Sequence, residues 1–228
     1  GELQYLTDMT FPNMLYGKVL RSSYPHARLI SIDTSEARQY PGVVAVLTHT
    51  DIPGLNGFGI ANPDWPVFCD MVVRFEGDAI AAIAATSKKA AEIALTLIKV
   101  EYEPLPVVDS PEAALAPDAP RLHQEGNILH ETNYRLGDPE YAFKQCQYVV
   151  EETYVTPRQM HTYLETEGGV FVPEQDGTLT VYSPTQHGYK DQMQLARILN
   201  MAQEDIRIIS SPIGGSFGGK DELNVQPY

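Results

Sequence analysis

The sequence predicts an α+β fold made of two blocks and a connection between them. Strand-like and helix-like segments alternate over residues 15–102, and a second set of such segments follows later in the chain. Between the two sets, five prolines within residues 104–120 remove backbone donors and stop helices. We therefore expect one domain at residues 1–105, a proline-rich connection at 106–131 and a second domain at 132–228.

The first block is typical of strands packed against short helices. Val43 to Leu47 is apolar and β-branched, as expected of a buried strand. Thr34 and Ser87 are suited to cap the helices that follow them. The predicted strands are 15–20, 28–32, 43–47, 72–75, 79–85 and 98–102, and the predicted helices are 34–38 and 88–97.

The sequence of the second block predicts strands with alternating apolar and polar residues, together with one longer helix. Asp176-Gly177 is a strong hairpin turn between two short strands. A helix is expected at 188–199, and Asn200 is a plausible terminator. The predicted strands are 147–155, 169–172, 179–182 and 206–209.

Charge and cysteine content exclude several classes of protein. The formal net charge of −14 disfavours nucleic acid and anionic membranes as partners, since both require basic patches. No apolar run reaches the ~18 residues of a membrane span, and no signal peptide is visible, so we expect a cytoplasmic location. Cys69 and Cys146 lie far apart, which excludes a cysteine-bound iron–sulfur cluster or zinc site within this chain. We expect both to be buried free thiols.

The stretch GGSFGGKD, residues 214–221, nearly fits two catalytic patterns. Lys220 completes G-x-x-x-x-G-K, but Asp221 stands where a phosphate loop needs Ser or Thr to ligate magnesium. Ser216 completes G-x-S-x-G, but that hydrolase elbow requires a later histidine, and none follows in this sequence. Pro212 also separates the stretch from the preceding strand, which both patterns should adjoin.

A third interpretation of the same stretch relies on backbone chemistry alone. Glycines let the backbone approach a ligand closely, and successive exposed N–H groups form an anion-binding concavity. Phe217 would then be an apolar wall and Asp221 a hydrogen-bonding group at the rim. A glycine-rich surface turn without a ligand is the simple alternative.

Together with its surroundings, this stretch resembles the xanthine dehydrogenase and aldehyde oxidase family of molybdenum hydroxylases. The segments YPHARLISIDTSEARQYPGVVAVLTHTDIPG and FEGDAIAAIAATSKKAAEIALTLIKVEYEPLPVV are similar to the family's hammerhead domain. YLETEGGVFVP and SPTQHGYKDQMQLARILNM are similar to the opening of its molybdopterin-binding domain. The resemblance covers nearly the whole chain and implies a hammerhead-type domain followed by the truncated start of a mixed α/β cofactor domain.

The resemblance implies roles for residues that match the family's motifs. Gln186 stands where a glutamine amide hydrogen-bonds an oxygen ligand of molybdenum, and the Phe217–Gly218 backbone matches an amide that contacts the same centre. Gln186 and Phe217 are thus the expected residues next to the metal. Asp221 occupies the position of a glutamate that binds substrate in purine-oxidising members, one methylene shorter. The family's catalytic glutamate is expected beyond Tyr228, so this chain alone should be inactive.

The reaction implied by the resemblance is hydroxylation of an electron-poor carbon, with water as the oxygen source. A purine-like heterocycle is the favoured substrate, and an aldehyde or a non-catalytic docking role is the alternative. Electrons would leave through 2Fe-2S clusters, and FAD is a further possible cofactor, both in other domains or subunits. The complete enzyme is expected to be an oligomer.

The remaining polar residues receive structural interpretations. His123 and His130 are expected at the surface, and His161 with Glu165 as a buried structural pair. His187 is assigned no role, although it neighbours Gln186.

Overall fold

The computed structural model describes residues 2–223 and 226–228. The chain divides into two compact units. One unit combines Gly1–Pro106 with His161–Tyr228, and the other is Val107–Met160. The predicted boundaries at 105 and 131 stay predictions, since a division by compactness is a different criterion from a family domain.

The first block forms strands and helices close to the predicted positions. Its elements are β1 (Tyr16–Arg21), β2 (Ala27–Asp33), α1 (Ser35–Gln39), β3 (Val43–Leu47), β4 (Val72–Val73), β5 (Ala79–Ala85), α2 (Lys88–Leu95) and β6 (Lys99–Pro104). The main differences are that α2 ends at Leu95 and that β4 is only two residues long. The periodicity in the sequence therefore located each element of this block, with small errors at the ends.

These strands form two antiparallel three-stranded sheets, in the orders β1-β5-β3 and β4-β2-β6. The central strand β5 is rich in alanine and almost wholly buried. Its small side chains leave room for α2, which turns Ala90, Ala91 and Ala94 towards the same core. Burial of this alanine face explains why α2 lies against the β1-β5-β3 sheet.

The two predicted helix caps have different outcomes. Ser87 caps α2 as expected, because its Oγ accepts a 3.1 Å hydrogen bond from the Ala90 N–H. Thr34 occupies the N-cap position of α1 as predicted, but its side chain makes no capping bond and instead accepts from Arg38 Nε. The carboxylate of Asp33 accepts from the Ser35 N–H in its place.

The separate unit Val107–Met160 contains two short helices that the sequence analysis missed, α3 (Pro111–Leu115) and α4 (Pro139–Gln145). Ser110 and Asp138 cap them, and each helix begins with a proline. Proline was interpreted only as a helix breaker, whereas at the first helical position it is favourable.

Two further predictions for this unit are wrong. Residues 147–155 form no strand, although their residues alternate; no strand within 2–223 or 226–228 pairs with them, and an unpaired strand is not stable in water. Cys146 is exposed rather than buried, whereas Cys69 is a buried free thiol as expected. Cys146 follows directly after the short helix α4, which buries none of its residues.

Residues 161–228 contribute a third sheet with a crossover helix. The elements are β7 (Val170–Pro173), β8 (Leu179–Ser183), α5 (Gly188–Leu199) and β9 (Ile206–Ser210). β7 and β8 form the predicted hairpin, and β9 lies parallel to β8 on its other side. Asn200 ends α5 in the left-handed conformation, with φ of 53°, as the sequence predicted.

Within the first unit, a loop of the first block packs directly on α5. Phe58 and Phe68 from this loop share a buried core with Leu195 and Ile198 of the helix. The N–H of Gly54 donates a 2.9 Å hydrogen bond to the Ile198 carbonyl oxygen near the helix end. The position of α5, and of the residues at its start, is therefore fixed partly by the first block.

No helix within residues 2–223 and 226–228 has the length and apolar character needed to cross a bilayer.

Candidate functional site

The glycine-rich loop, residues 214–220, lies against the segment 161–165. A methyl group on Gly214 would meet the Glu165 side chain at 2.6 Å, and one on Gly219 would meet the Tyr163 ring at 2.5 Å. Both distances are shorter than real carbon contacts, so neither glycine tolerates a side chain here. The glycines thus allow the loop to lie directly on the segment 161–165.

Glu165 anchors both ends of this loop. One carboxylate oxygen, Oε2, accepts a 2.8 Å hydrogen bond from the Gly214 N–H. The same oxygen forms an ion pair with Lys220 Nζ at 2.7 Å. The Glu165 N–H in turn donates to the Gly214 carbonyl oxygen at 3.1 Å. The Lys220 side chain is 1% exposed and its ammonium lies 4.9 Å from the Tyr163 ring centre. His161 is exposed, so the predicted pair of His161 with Glu165 is wrong, and Lys220 takes that place.

This geometry disfavours both catalytic patterns suggested by the letters of the loop. The ammonium of Lys220 is buried against Glu165, whereas a phosphate loop requires its lysine to reach the ligand. Within the described residues, the Ser216 hydroxyl makes no hydrogen bond to a histidine, which a hydrolase nucleophile needs. Two interpretations are left: a binding site made of backbone N–H groups, and a surface turn without a ligand.

The tip of the loop presents unpaired backbone donors. Phe217 and Gly218 both have positive φ, of 50° and 92°. In the part of the chain that the structure describes, neither of their N–H groups donates a hydrogen bond, while the next N–H, of Gly219, bonds to the Ser216 carbonyl oxygen at 2.8 Å. The Phe217 side chain is 77% exposed. Adjacent free amides beside an exposed ring are the arrangement expected of an anion or oxo-ligand site.

Gln186 lies beside the other end of the loop. Its N–H donates a 3.0 Å hydrogen bond to the carbonyl oxygen of Lys220. The residue is exposed, and its carboxamide has no hydrogen-bonding partner among residues 2–223 and 226–228. The buried strand β8 and the helix α5 that follows fix the position of its backbone. A neutral donor is therefore available next to the loop that carries the free amides.

Asp221 follows the loop directly and contacts His187, the residue before α5, and Lys190 of α5. Its Oδ1 lies 2.5 Å from His187 Nε2 and 3.7 Å from Lys190 Nζ. The side chains of His187 and Asp221 are about half exposed, at 50% and 43%. The sequence analysis gave His187 no role, and no local pattern signals a pair between such distant positions.

Asp191 of α5 is a buried carboxyl, and the charge of Glu167 acts on it. Burial raises the pKa of the Asp191 carboxyl to about 6, and the charge of Glu167 adds to the effect, although a hydrogen bond from Thr185 opposes it. Burial also raises the pKa of Tyr163 to about 12, together with its hydrogen bond to Glu167. Asp191 Oδ1 has no partner among the described residues.

Four predicted residues lie in or beside the glycine-rich loop: Phe217 and Gly218 at its tip, Asp221 directly after it, and Gln186 bonded through its N–H to Lys220 at its end. A cavity of about 560 Å³ lies elsewhere, beside the hairpin turn, and is lined by residues that include Glu174, Asp176 and Arg207. No cluster of three or more potential metal-ligating side chains occurs within residues 2–223 and 226–228. These residues would therefore hold a metal complex by contacting its non-protein ligands.

Comparison with known proteins identifies the family. Residues 1–106 match the model of the aldehyde oxidase and xanthine dehydrogenase a/b hammerhead domain, and residues 122–228 match the molybdopterin cofactor-binding domain. The chain belongs to the aldehyde oxidase and xanthine dehydrogenase family. The two matches confirm the predicted family and fold class, with a hammerhead domain followed by sequence of the molybdopterin-binding domain.

Curated relatives and solved structures agree with this assignment. The chain is 62% identical over 228 residues to a probable xanthine dehydrogenase subunit of Bacillus subtilis, covering all of this chain and 31% of that protein. It is 43% identical to the nicotinate dehydrogenase large molybdopterin subunit of Eubacterium barkeri, covering 99% of this chain and 53% of that protein. The crystal structure of the aldehyde oxidoreductase from Desulfovibrio desulfuricans superposes with a TM-score of 0.92 at 27% identity, over 99% of this chain and 27% of that one. The chain therefore spans about a third to about half the length of these curated relatives.

The donor set at the loop fits a molybdenum–pterin group. The oxygen ligands and phosphate of such a group accept hydrogen bonds and carry negative charge. The free amides of Phe217 and Gly218 supply donors without bringing a carboxylate, and the Gln186 carboxamide adds a neutral one. The nearest atom to a methyl group built on Gly218 is 4.0 Å away, so the backbone there is open to a bulky ligand.

Proposed function

We propose that the full-length protein containing this chain hydroxylates an electron-poor carbon of a purine-like nitrogen heterocycle. The oxygen comes from water: the substrate C–H bond breaks, a C–O bond forms, and an electron pair is released with two protons, one from the substrate and one from water. A bound molybdenum–pterin centre would supply the oxygen transfer and accept the electrons. The observation that carries this proposal is the 3.0 Å hydrogen bond from the Gln186 N–H to the Lys220 carbonyl oxygen, which places Gln186 at the end of the loop whose Phe217 and Gly218 amides have no partner among the described residues.

The chain's own residues have separate tasks in this proposal. Gln186 would donate a hydrogen bond from its carboxamide to an oxygen ligand of the cofactor. The Phe217 and Gly218 N–H groups would bind the same centre, and the Phe217 ring would cover one side of it. Backbone donors of this kind are fixed before the ligand arrives, so they stabilise developing charge without reorganisation.

Asp221 is the residue proposed to determine the substrate preference. Its carboxylate accepts hydrogen bonds, and the ring N–H groups of a purine-like heterocycle donate them, whereas an aromatic aldehyde has no such donor. The contacts with His187 and Lys190 would hold the short Asp221 side chain in one orientation. Two relatives are a probable xanthine dehydrogenase and a nicotinate dehydrogenase, and their names support a heterocycle as substrate.

The reaction requires partner domains or subunits that carry electrons away from the site. The electrons leaving the substrate need a path out of the site, which 2Fe-2S clusters and FAD in other domains or subunits would supply. Two of the relatives are named as subunits, which supports an assembly of several chains. A cytoplasmic location is likewise a prediction.

The test compares substrates on the purified full-length protein. We expect oxidation of hypoxanthine or xanthine, and an aromatic aldehyde to be a poorer substrate. Asp221→Asn should lower kcat/KM for the purine by about tenfold or more, because a charged hydrogen-bond acceptor for the substrate is lost, and should leave aldehyde oxidation nearly unchanged. Asp205→Asn, at an exposed aspartate before β9, is the matched control.

Other outcomes separate the alternatives. Efficient oxidation of aldehydes together with no oxidation of purines would contradict the heterocycle proposal and favour an aldehyde-oxidising enzyme. A molybdenum-free full-length protein without any oxidase activity would favour the docking role.

A further inference from the structure

We propose that Glu165 is a positioning residue for the glycine-rich loop, which it holds through Gly214 and Lys220 so that the Phe217 and Gly218 amides face the cofactor. This inference rests on the proposed function, and it assigns a role to a residue remote in sequence from the loop. Glu165 itself would touch neither substrate nor cofactor.

The first step in the argument is the geometry at the two ends of the loop. A single oxygen, Glu165 Oε2, accepts from the Gly214 N–H at 2.8 Å and from Lys220 Nζ at 2.7 Å. These two residues bracket the segment that carries the free amides. A carboxylate that bridges both ends fixes their separation, and with it the curvature of the tip between them.

The second step is the burial of the pair. The Lys220 side chain is 1% exposed and the Glu165 side chain 10% exposed. A buried ammonium retains its charge only when an anion compensates it, so the end of the loop cannot leave Glu165 without a large desolvation cost. The pair is weak evidence for overall stability, because burying both charges is itself costly. A requirement for loop geometry explains its presence better.

The third step is the strain at the tip. Phe217 occupies the left-handed region with φ of 50°, a conformation that residues other than glycine rarely adopt. Such a conformation persists where the surroundings over-determine it. The Phe217 side chain is 77% exposed and so receives little support from packing. The hydrogen bond from the Gly219 N–H to the Ser216 carbonyl oxygen closes the turn around Phe217, and Glu165 adds a second constraint at the two ends of the loop.

The experiment compares three variants of the full-length protein. Glu165→Gln removes the charge and leaves Lys220 buried without an anion. Glu165→Gln combined with Lys220→Met removes both charges, so no lone buried charge remains. Asp78→Asn is the matched control, since Asp78 is also a buried carboxyl that accepts a backbone N–H, at 2.8 Å from Arg74, but it belongs to the hammerhead domain.

Three readouts are measured on each variant. Hydrogen exchange over residues 214–221 is followed on cofactor-free protein, and kcat per bound molybdenum and the molybdenum electron paramagnetic resonance signal on loaded protein. The two Glu165 variants should exchange faster in the loop, show an altered signal and lose about tenfold or more in kcat, since small misplacements of a site group have effects of this size. Asp78→Asn should unfold at lower temperature without changing these readouts.

The outcome that overturns the inference is specific. If the double variant recovers stability and also keeps the parent kcat, signal and loop exchange, the pair has no positioning role. Gln186→Ala is measured beside these variants: if it loses activity while the Glu165 variants keep theirs, only this inference fails. If Gln186→Ala is also unchanged, the proposed function fails with it.

Discussion

The N–H of Gln186 donates a 3.0 Å hydrogen bond to the carbonyl oxygen of Lys220. This bond joins the start of α5 to the end of the glycine-rich loop. The residues that follow these two in the sequence, His187 and Asp221, are also in contact. Two segments that are distant in sequence therefore keep a fixed relation at the surface where the cofactor is proposed to bind.

Gly218→Ala tests the backbone donors. Gly218 has φ of 92°, and a side chain there is strained by about 1–2 kcal/mol even where space is open. The strain should turn its N–H away from the cofactor and reduce turnover by about tenfold or more, as for loss of an aimed donor. Turnover of the full-length protein and its thermal unfolding are measured together.

Gly177→Ala is the control for this change. Gly177 has a similar φ of 89° and open space around it, in the hairpin between β7 and β8. Both variants should lose similar stability, but only Gly218→Ala should lose activity. Equal activity in the two would show that the loop tip does not act in turnover.

Gly54→Ala tests the contact between the hammerhead loop and α5. A methyl group there would lie 2.2 Å from the Arg197 carbonyl oxygen and 2.8 Å from that of Ile198. The backbone must shift, at a cost of about 1–3 kcal/mol by analogy with overpacked cores. We expect a lower unfolding temperature, measured by circular dichroism.

Gly17→Ala serves as its counterpart, because Gly17 is in β1 and has nothing within 4 Å of a built methyl group. It should be neutral or slightly stabilising, since glycine is unfavourable within a strand. If Gly54→Ala were as stable as Gly17→Ala, the close packing of this loop on α5 would be wrong.

Asp191→Asn tests the buried acid beneath the site through its pH dependence. The folded pKa of Asp191 is raised to about 6, whereas an unfolded aspartate has a pKa of about 3.9. The unfolded chain thus releases this proton first, so the Asp191 contribution to stability falls as pH rises from about 4 to about 6. Relative to the parent, Asp191→Asn should therefore gain stability over this range, by up to about 3 kcal/mol.

The measurement is the difference in unfolding temperature between variant and parent from pH 4 to pH 7. Asp176→Asn provides a control of opposite sign, because hydrogen bonds from Thr178 lower the pKa of that exposed carboxyl. Its stability relative to the parent should not rise with pH. A flat difference for Asp191→Asn would mean that Asp191 is not buried in a charge-disfavouring site.

Much of the fold follows from periodicity in the sequence. Helix α5 begins and ends where its apolar face and Asn200 predicted, because the helix period and its terminator are both local signals. The failed strand at 147–155 shows the limit of the same reasoning. Alternation reveals which side of a strand is apolar but not whether a partner strand is present.

The site was predictable only in part, for a similar reason. Gln186 and the glycines were found through motifs, since each motif is a continuous string of letters. The pair of Glu165 with Lys220 spans 55 residues, and no rule of spacing links two such positions. His187 was missed because the partner that orients it, Asp221, comes from another segment. Side-chain partnerships across segments require the folded chain.

The most direct test of the central claim is turnover per bound molybdenum in full-length Gln186→Ala, compared with Gln175→Ala at an exposed glutamine of the hairpin turn. If the Gln186 carboxamide donates to the cofactor, Gln186→Ala should lose about a hundredfold in turnover with an unchanged unfolding temperature, and Gln175→Ala should match the parent. Parent-like turnover in Gln186→Ala, or a full-length protein that binds no molybdenum, would contradict the account.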